Sequence, residues 1–98
     1  MLTDAPYPHL FSAIELAGRR LRNRICLPAT VTNFAQRNRI TERWKHFLIE
    51  RARGGAAMLV TEVIAVDPNA IAQPAIVTGF DDANAIDLSD TAQRVHAE

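Results

Sequence analysis

The chain has 98 residues, 48% of them apolar and 22% charged, the balance of one small globular domain with a modest core and not of a disordered tail. Its eleven basic and eleven acidic side chains cancel, so no basic excess marks a nucleic-acid or anionic-membrane surface. The single cysteine, Cys26, can form neither an intramolecular disulfide nor a paired-cysteine zinc site, which points to a reducing, cytoplasmic setting.

The N-terminal stretch MLTDAPYPHLF places an acid and two prolines where a secretory leader needs a cationic start and an apolar core. Residues 10–22 then predict a small hairpin, with Ile14-Glu15-Leu16 and Arg20-Leu21-Arg22 flanking Ala17-Gly18-Arg19. A first strand follows over 24–29. Its run Ile25-Cys26-Leu27 is continuous in apolar character, as in a strand covered on both faces, and Cys26 reads as a small buried hydrophobe. This strand runs into Pro28, Ala29 and Thr30, then Thr32 and Asn33.

Residues 41–53 predict a helix. Thr41 is placed to cap it and Glu42 suits its first turn. Trp44, Phe47, Leu48 and Ala52 keep the spacing of one buried face, and Gly54-Gly55 provides the stop. A second strand is expected over 57–62, with Met58-Leu59-Val60 leading into Thr61-Glu62-Val63. The longest apolar run, AAMLVTEVIAV, is too short to cross a bilayer and contains Glu62. Turn formers then dominate (Asp67-Pro68-Asn69, Pro74, Gly79), before a second helix over 83–97 that would bury Ala85, Leu88, Ala92 and Val95.

Strand, helix, strand, helix is the pattern of a parallel α/β sheet. Two parallel strands with both outer edges unpaired make a poor sheet, so the chain reads as cut off after Glu98. Self-association, or a complementing chain docked through those edges, is the corresponding expectation for partners. In parallel folds the ligand chemistry collects at strand C-terminal ends, here Pro28-Ala29-Thr30 and Thr61-Glu62-Val63. Small residues there let backbone N–H groups approach a flat ligand. Glu62 fits either a site role or a carboxylate bonded to nearby backbone. His9, His46 and His96 have no convincing ligand neighbours, so no metal is assigned. Trp44 reads as core filling, and Arg51 and Arg53 as helix C-terminal charges.

Three stretches together, LFSAIELAGRRLRNRICLPATVTNFA, ITERWKHFLIERARGGAAMLVTEVIAVDP and GFDDANAIDLSDTAQRVHAE, closely resemble the N-terminal part of the Old Yellow Enzyme family. These are FMN-dependent NAD(P)H:flavin oxidoreductases, and the branch resembled includes 2,4-dienoyl-CoA reductase-like enzymes. The specific pieces are Asn23-Arg24, the spacing from Pro28 to Thr30, Arg51-Ala52-Arg53-Gly54-Gly55, and Thr61-Glu62 before an apolar residue.

The resemblance implies an incomplete (β/α)₈ TIM barrel: the N-terminal hairpin plus the first two βα units. It implies that Pro28 and Ala29 line the isoalloxazine ring, and that Thr30 bonds its O4 edge and tunes its potential. Val63 falls where a small residue meets the same edge, and valine is bulkier than the usual glycine or alanine. Arg37-Asn38-Arg39 also departs from the acidic residue and glycine that relatives commonly keep. The family reaction passes hydride from NAD(P)H through FMN to an activated alkene or similar small-molecule acceptor. The remaining substrate and phosphate binders would lie beyond Glu98, which implies that the 98-residue chain alone is inactive. A non-catalytic truncated barrel module needing a partner chain is the alternative. A dihydroorotate dehydrogenase-like FMN barrel is a third reading, disfavoured by the Thr61-Glu62-Val63 and Arg51–Gly55 pieces.

Overall fold

The structure, a computed structural model, describes residues 6–98; the first five residues of the lead-in read above against a secretory leader lie outside the described residues. Strand β1 (Ile14–Leu16) pairs antiparallel with β2 (Arg19–Leu21), Ile14 opposite Leu21. The connection is only Ala17-Gly18, with φ of 51° and 79°, and Arg19 belongs to the strand. Positive φ at both central residues is what a two-residue hairpin turn consistent with strand twist requires.

The next three residues fasten this hairpin to the rest. Arg22 donates to the Ala52 carbonyl at 2.8 Å and the Ala56 carbonyl at 3.1 Å. Asn23 is buried, donating Nδ2 to the Gly55 carbonyl at 2.7 Å and accepting from the Ile25 amide at 2.9 Å. Arg24 donates Nε to Ser12 Oγ at 3.1 Å. Arg22 and Asn23 thus lock the glycine corner that ends the first helix against the start of the next strand, and Arg24 ties that strand to the segment before the hairpin.

Strand β3 (Cys26–Leu27) pairs in parallel with β4 (Met58–Leu59), Cys26 opposite Met58. Bonds from Ala57 N to Ile25 O and from Val60 N to Leu27 O, both 3.0 Å, extend the ladder. It is still shorter than the strands expected over 24–29 and 57–62. Pro28 has no N–H to donate, and past Val60 the chain bonds to a neighbouring loop instead.

Helix α1 (Glu42–Arg53) is the crossover between these strands. Thr41 Oγ1 accepts from the Trp44 amide at 3.1 Å while donating to the Phe34 carbonyl at 2.6 Å, so one hydroxyl both caps the helix and fixes the loop before it. Trp44, Leu48, Ile49 and Ala52 are buried, and Phe47 is half-buried. Gly55, at φ 116°, takes the exit that a side chain would strain. The helix covers one side of the strand pair. Among the described residues nothing closes a barrel over the other side, so Cys26 is exposed and Leu27 half-buried. The strand covered on both faces, with Cys26 inside, is therefore corrected.

The tract after β4 holds a second parallel pair, β5 (Ile64–Ala65) with β6 (Val77–Thr78), joined through a 3₁₀ turn at Pro68–Ala70. Ala65 and Val77 are buried. Helix α2 (Asp82–His96) follows, with Asp81 Oδ1 accepting from the Ala83 amide at 2.9 Å. Its buried residues are Asn84 and Thr91, flanked by half-buried Leu88 and Val95, while Ala85 and Ala92 are exposed. The helix is turned relative to the expected apolar stripe. Asn84 is the reason: its Nδ2 donates to Asn38 O (2.8 Å), Thr78 O (2.9 Å) and Thr78 Oγ1 (3.1 Å), and its Oδ1 accepts from Ile40 N (3.1 Å). Burying two alanine methyls cannot compete with a fully bonded amide. The core beside it gathers Ala35, Ile40, Trp44, Leu48 and Val77.

The two helices also meet through charge. The Lys45 side chain is 10% exposed, with Nζ 2.8 Å from Asp87 and 2.9 Å from Asp90. Arg94 joins Asp90 at 3.2 Å to Glu42 at 3.1 Å. Hydrogen bonds from Lys45, then Arg94, hold the Asp90 carboxyl below its ordinary range, and the bond to Asp87 raises the Lys45 ammonium.

Asn84→Ala strips partners from three buried groups and is expected to lower stability by about 2–4 kcal/mol in urea titrations. A carboxyl depressed on folding contributes stability above its unfolded pKa and loses it as pH falls through the folded one. Urea midpoints should therefore fall as pH drops below about 4, and Lys45→Met should flatten that acid limb while lowering the midpoint at neutral pH.

Candidate functional site

Parallel pairing puts the C-terminal ends of β3 and β4 at the same edge. Pro28, Ala29 and Thr30 lie just past β3 and are all exposed; Val63, between β4 and β5, is 55% exposed. The amides of Ala29 and Thr30 make no hydrogen bond among the described residues. Thr30 Oγ1 donates to the Pro28 carbonyl at 3.1 Å, which holds the hydroxyl over its own strand end and leaves its acceptor lone pairs available. The edge thus presents small residues, free backbone donors and one hydroxyl to open space.

Beyond the ladder, Glu62 ties the two strand ends to each other. Its carboxylate accepts from the Thr32 hydroxyl at 2.6 Å and from the Thr32 amide at 3.0 Å. The same hydroxyl accepts from the Phe34 amide at 3.2 Å. Of its two readings Glu62 takes the anchoring one, and its partner Thr32 is the residue that sequence reasoning missed. The alternation Thr30-x-Thr32 was the available signal, because it puts a second hydroxyl where the loop turns back toward the other strand.

Behind the loop, Phe34 and Phe47 stack edge-to-face at 6.2 Å, with Arg43 over Phe34 and Arg51 over Phe47, each at 4.0 Å. Arg51 is thus a cation on an aromatic face as well as a helix-end charge, and Arg53 pairs with Glu50 and Glu98. The departure at Arg37-Asn38 is a hairpin turn with φ of 53° and 61°. Asn38 Nδ2 ties it to the carbonyls of Gln73 (2.9 Å) and Ile76 (2.6 Å). His9, His46 and His96 are exposed, and His46 Nε2 lies 3.3 Å from Arg94. A concavity of about 700 Å³ lies away from these residues, between the hairpin and the helix ends, lined by Leu16, Leu21, Ala52, Met58 and Val95.

Glu62→Ala should leave the Thr32 amide without an acceptor. Hydrogen exchange at Thr32 and Phe34 is expected to accelerate by about tenfold or more, with amides inside α1 unchanged.

Residues 9–98 match the family model described as NADH:flavin oxidoreductase / NADH oxidase family. The 4,4'-dithiodibutanoate disulfide reductase of Rhodococcus erythropolis is 39% identical over 67 residues, which are 68% of this chain and 17% of that protein. The chain therefore spans about a sixth of that curated relative. Among solved structures, a 2-naphthoyl-CoA reductase complex superposes with a TM-score of 0.86 at 22% identity over 93% of this chain and 14% of that one. The old yellow enzyme from Trypanosoma cruzi gives 0.81 at 21% identity, over 95% and 25%. These likenesses establish that the fold is part of the barrel found in those proteins.

Proposed function

Since the chain belongs to the NADH:flavin oxidoreductase / NADH oxidase family, we propose that its β3 and β4 ends form one wall of an FMN site in an enzyme that passes hydride from NAD(P)H to an activated alkene or similar acceptor. The remaining walls come from further barrel strands. The single observation that carries this is the exposed edge of Pro28, Ala29, Thr30 and Val63 held in register by the Thr32–Glu62 bonds.

The residues fit the group. An isoalloxazine ring is flat and carries carbonyl and ring-nitrogen acceptors along one rim. The strand end supplies unbonded amides at Ala29 and Thr30, and the exposed Thr30 carries a hydroxyl that would turn from the Pro28 carbonyl to donate to that rim. FMN, when bound, supplies the hydride-carrying chemistry. This chain's residues bind and orient. Pro28 and Ala29 would offer a surface for the ring, Thr30 would hydrogen-bond its rim, and Val63 would limit how closely that rim approaches. Glu62 keeps Thr32, and with it the Thr30 loop, from moving.

The chain alone holds too little of the site to surround both ring and phosphate, so catalysis by it in isolation is not expected. The non-catalytic alternative, a module completed by a partner chain, draws on the two-stranded sheets, each with open edges.

Titration of ¹⁵N-labelled chain with FMN distinguishes these. Weak, saturable shifts confined to Ala29, Thr30 and Val63 are expected, and shifts elsewhere or none would remove the flavin assignment. Tight binding with NAD(P)H oxidation would overturn the one-wall reading. Val63→Gly should tighten FMN binding by about three- to tenfold.

A further inference from the structure

Trp44 is the only tryptophan in the chain and is 1% exposed. Its indole Nε1 has no hydrogen-bond acceptor among the described residues. Buried tryptophan donors are almost always partnered, because an indole N–H taken out of water without an acceptor loses its hydration for nothing. Trp44 also lines a small, partly open cavity of about 10 Å³, together with Thr30, Phe47, Leu48, Val60 and Glu62. That volume is about one water's worth of free space.

The lining has the right polar groups. Each Glu62 oxygen accepts a single bond, from the Thr32 hydroxyl or amide, so each keeps a lone pair. Thr30 Oγ1 donates to Pro28 O and keeps its capacity to accept. Phe47, Leu48 and Val60 supply the apolar remainder of the lining. A water here would have the two to four partners that a buried water needs.

We propose that this cavity holds one ordered water that accepts from Trp44 Nε1–H and donates to the Glu62 carboxylate and Thr30 Oγ1. The water makes Trp44 a positioning residue: it carries the rigidity of α1 to the two loops that Glu62 joins. The consequence for a flavin at Thr30 rests on the proposed function; the water itself does not.

A single tryptophan gives a single indole resonance, so the test is clean. In the ¹⁵N-tryptophan-labelled chain, the indole proton should cross-relax with water with opposite signs in the laboratory and rotating frames, the mark of a long-lived bound molecule. The signal should persist, weakened, in Thr30→Val, which removes relay through that hydroxyl together with one of the water's three partners. Absence of the signal in the parent chain overturns the water. Trp44→Phe deletes the donor while keeping one aromatic ring in the core, and should shift the backbone amide resonances of Thr30, Thr32 and Glu62. If those resonances stay in place while the variant remains folded, the positioning role is wrong. Neither measurement uses FMN, so failure of flavin binding and failure of this inference are separately visible.

Discussion

Parallel pairing of residues 25–27 with residues 57–60 is the constraint from which the other features follow. Two parallel strands cannot be joined by a tight turn, so the chain must leave the end of one and return to the start of the next. Helix α1 is that return, and its buried face of Trp44, Leu48 and Ala52 covers the sheet on the side it crosses. The same geometry places both strand C-termini at one edge. Thr32 and Glu62, 30 positions apart, meet there because both strands run the same way. An antiparallel pair would have put them at opposite ends.

A unit this small has little apolar surface to bury, and buried polar groups carry an unusual share of its definition. Asn23 fixes how the glycine corner meets β3, and Asn84 fixes how α2 meets β6 and the 38–40 loop. Lys45 sets the helix–helix contact between Asp87 and Asp90. Each is costly to bury and costly to strip of its partners. Such groups define orientation better than methyls do, because hydrogen bonds are directional and apolar contacts are not. The α2 stripe illustrates this: the alanines at 85 and 92 lie outside, and the asparagine lies inside.

The legible parts were those carried by local rules. Thr41 before an apolar stripe and Gly54-Gly55 after it delimit α1, since caps and breakers act within a turn of their own position. The strand-end placement of Pro28, Ala29, Thr30 and Val63 followed from the order of elements. The pair β5–β6 was not legible, because each strand is two residues long and the tract between them is full of turn formers. Cys26 was misjudged for a different reason: an apolar run reports that a strand can be covered on two faces, and not that both covers are present.

By itself, the sequence determined what depends on neighbours along the chain: the two helices, the hairpin, the strand-helix alternation and, through its ordered motifs, the family. Tertiary structure alone decided which face of α2 turns inward, which residue Glu62 bonds, and what surrounds the Trp44 indole. Those outcomes depend on groups dozens of positions apart competing for a few buried hydrogen bonds, and no window of sequence contains both competitors. At Thr30 the two levels meet. Position in the chain names the residue, and the Thr32–Glu62 tie next to it holds the residue where a ligand can reach.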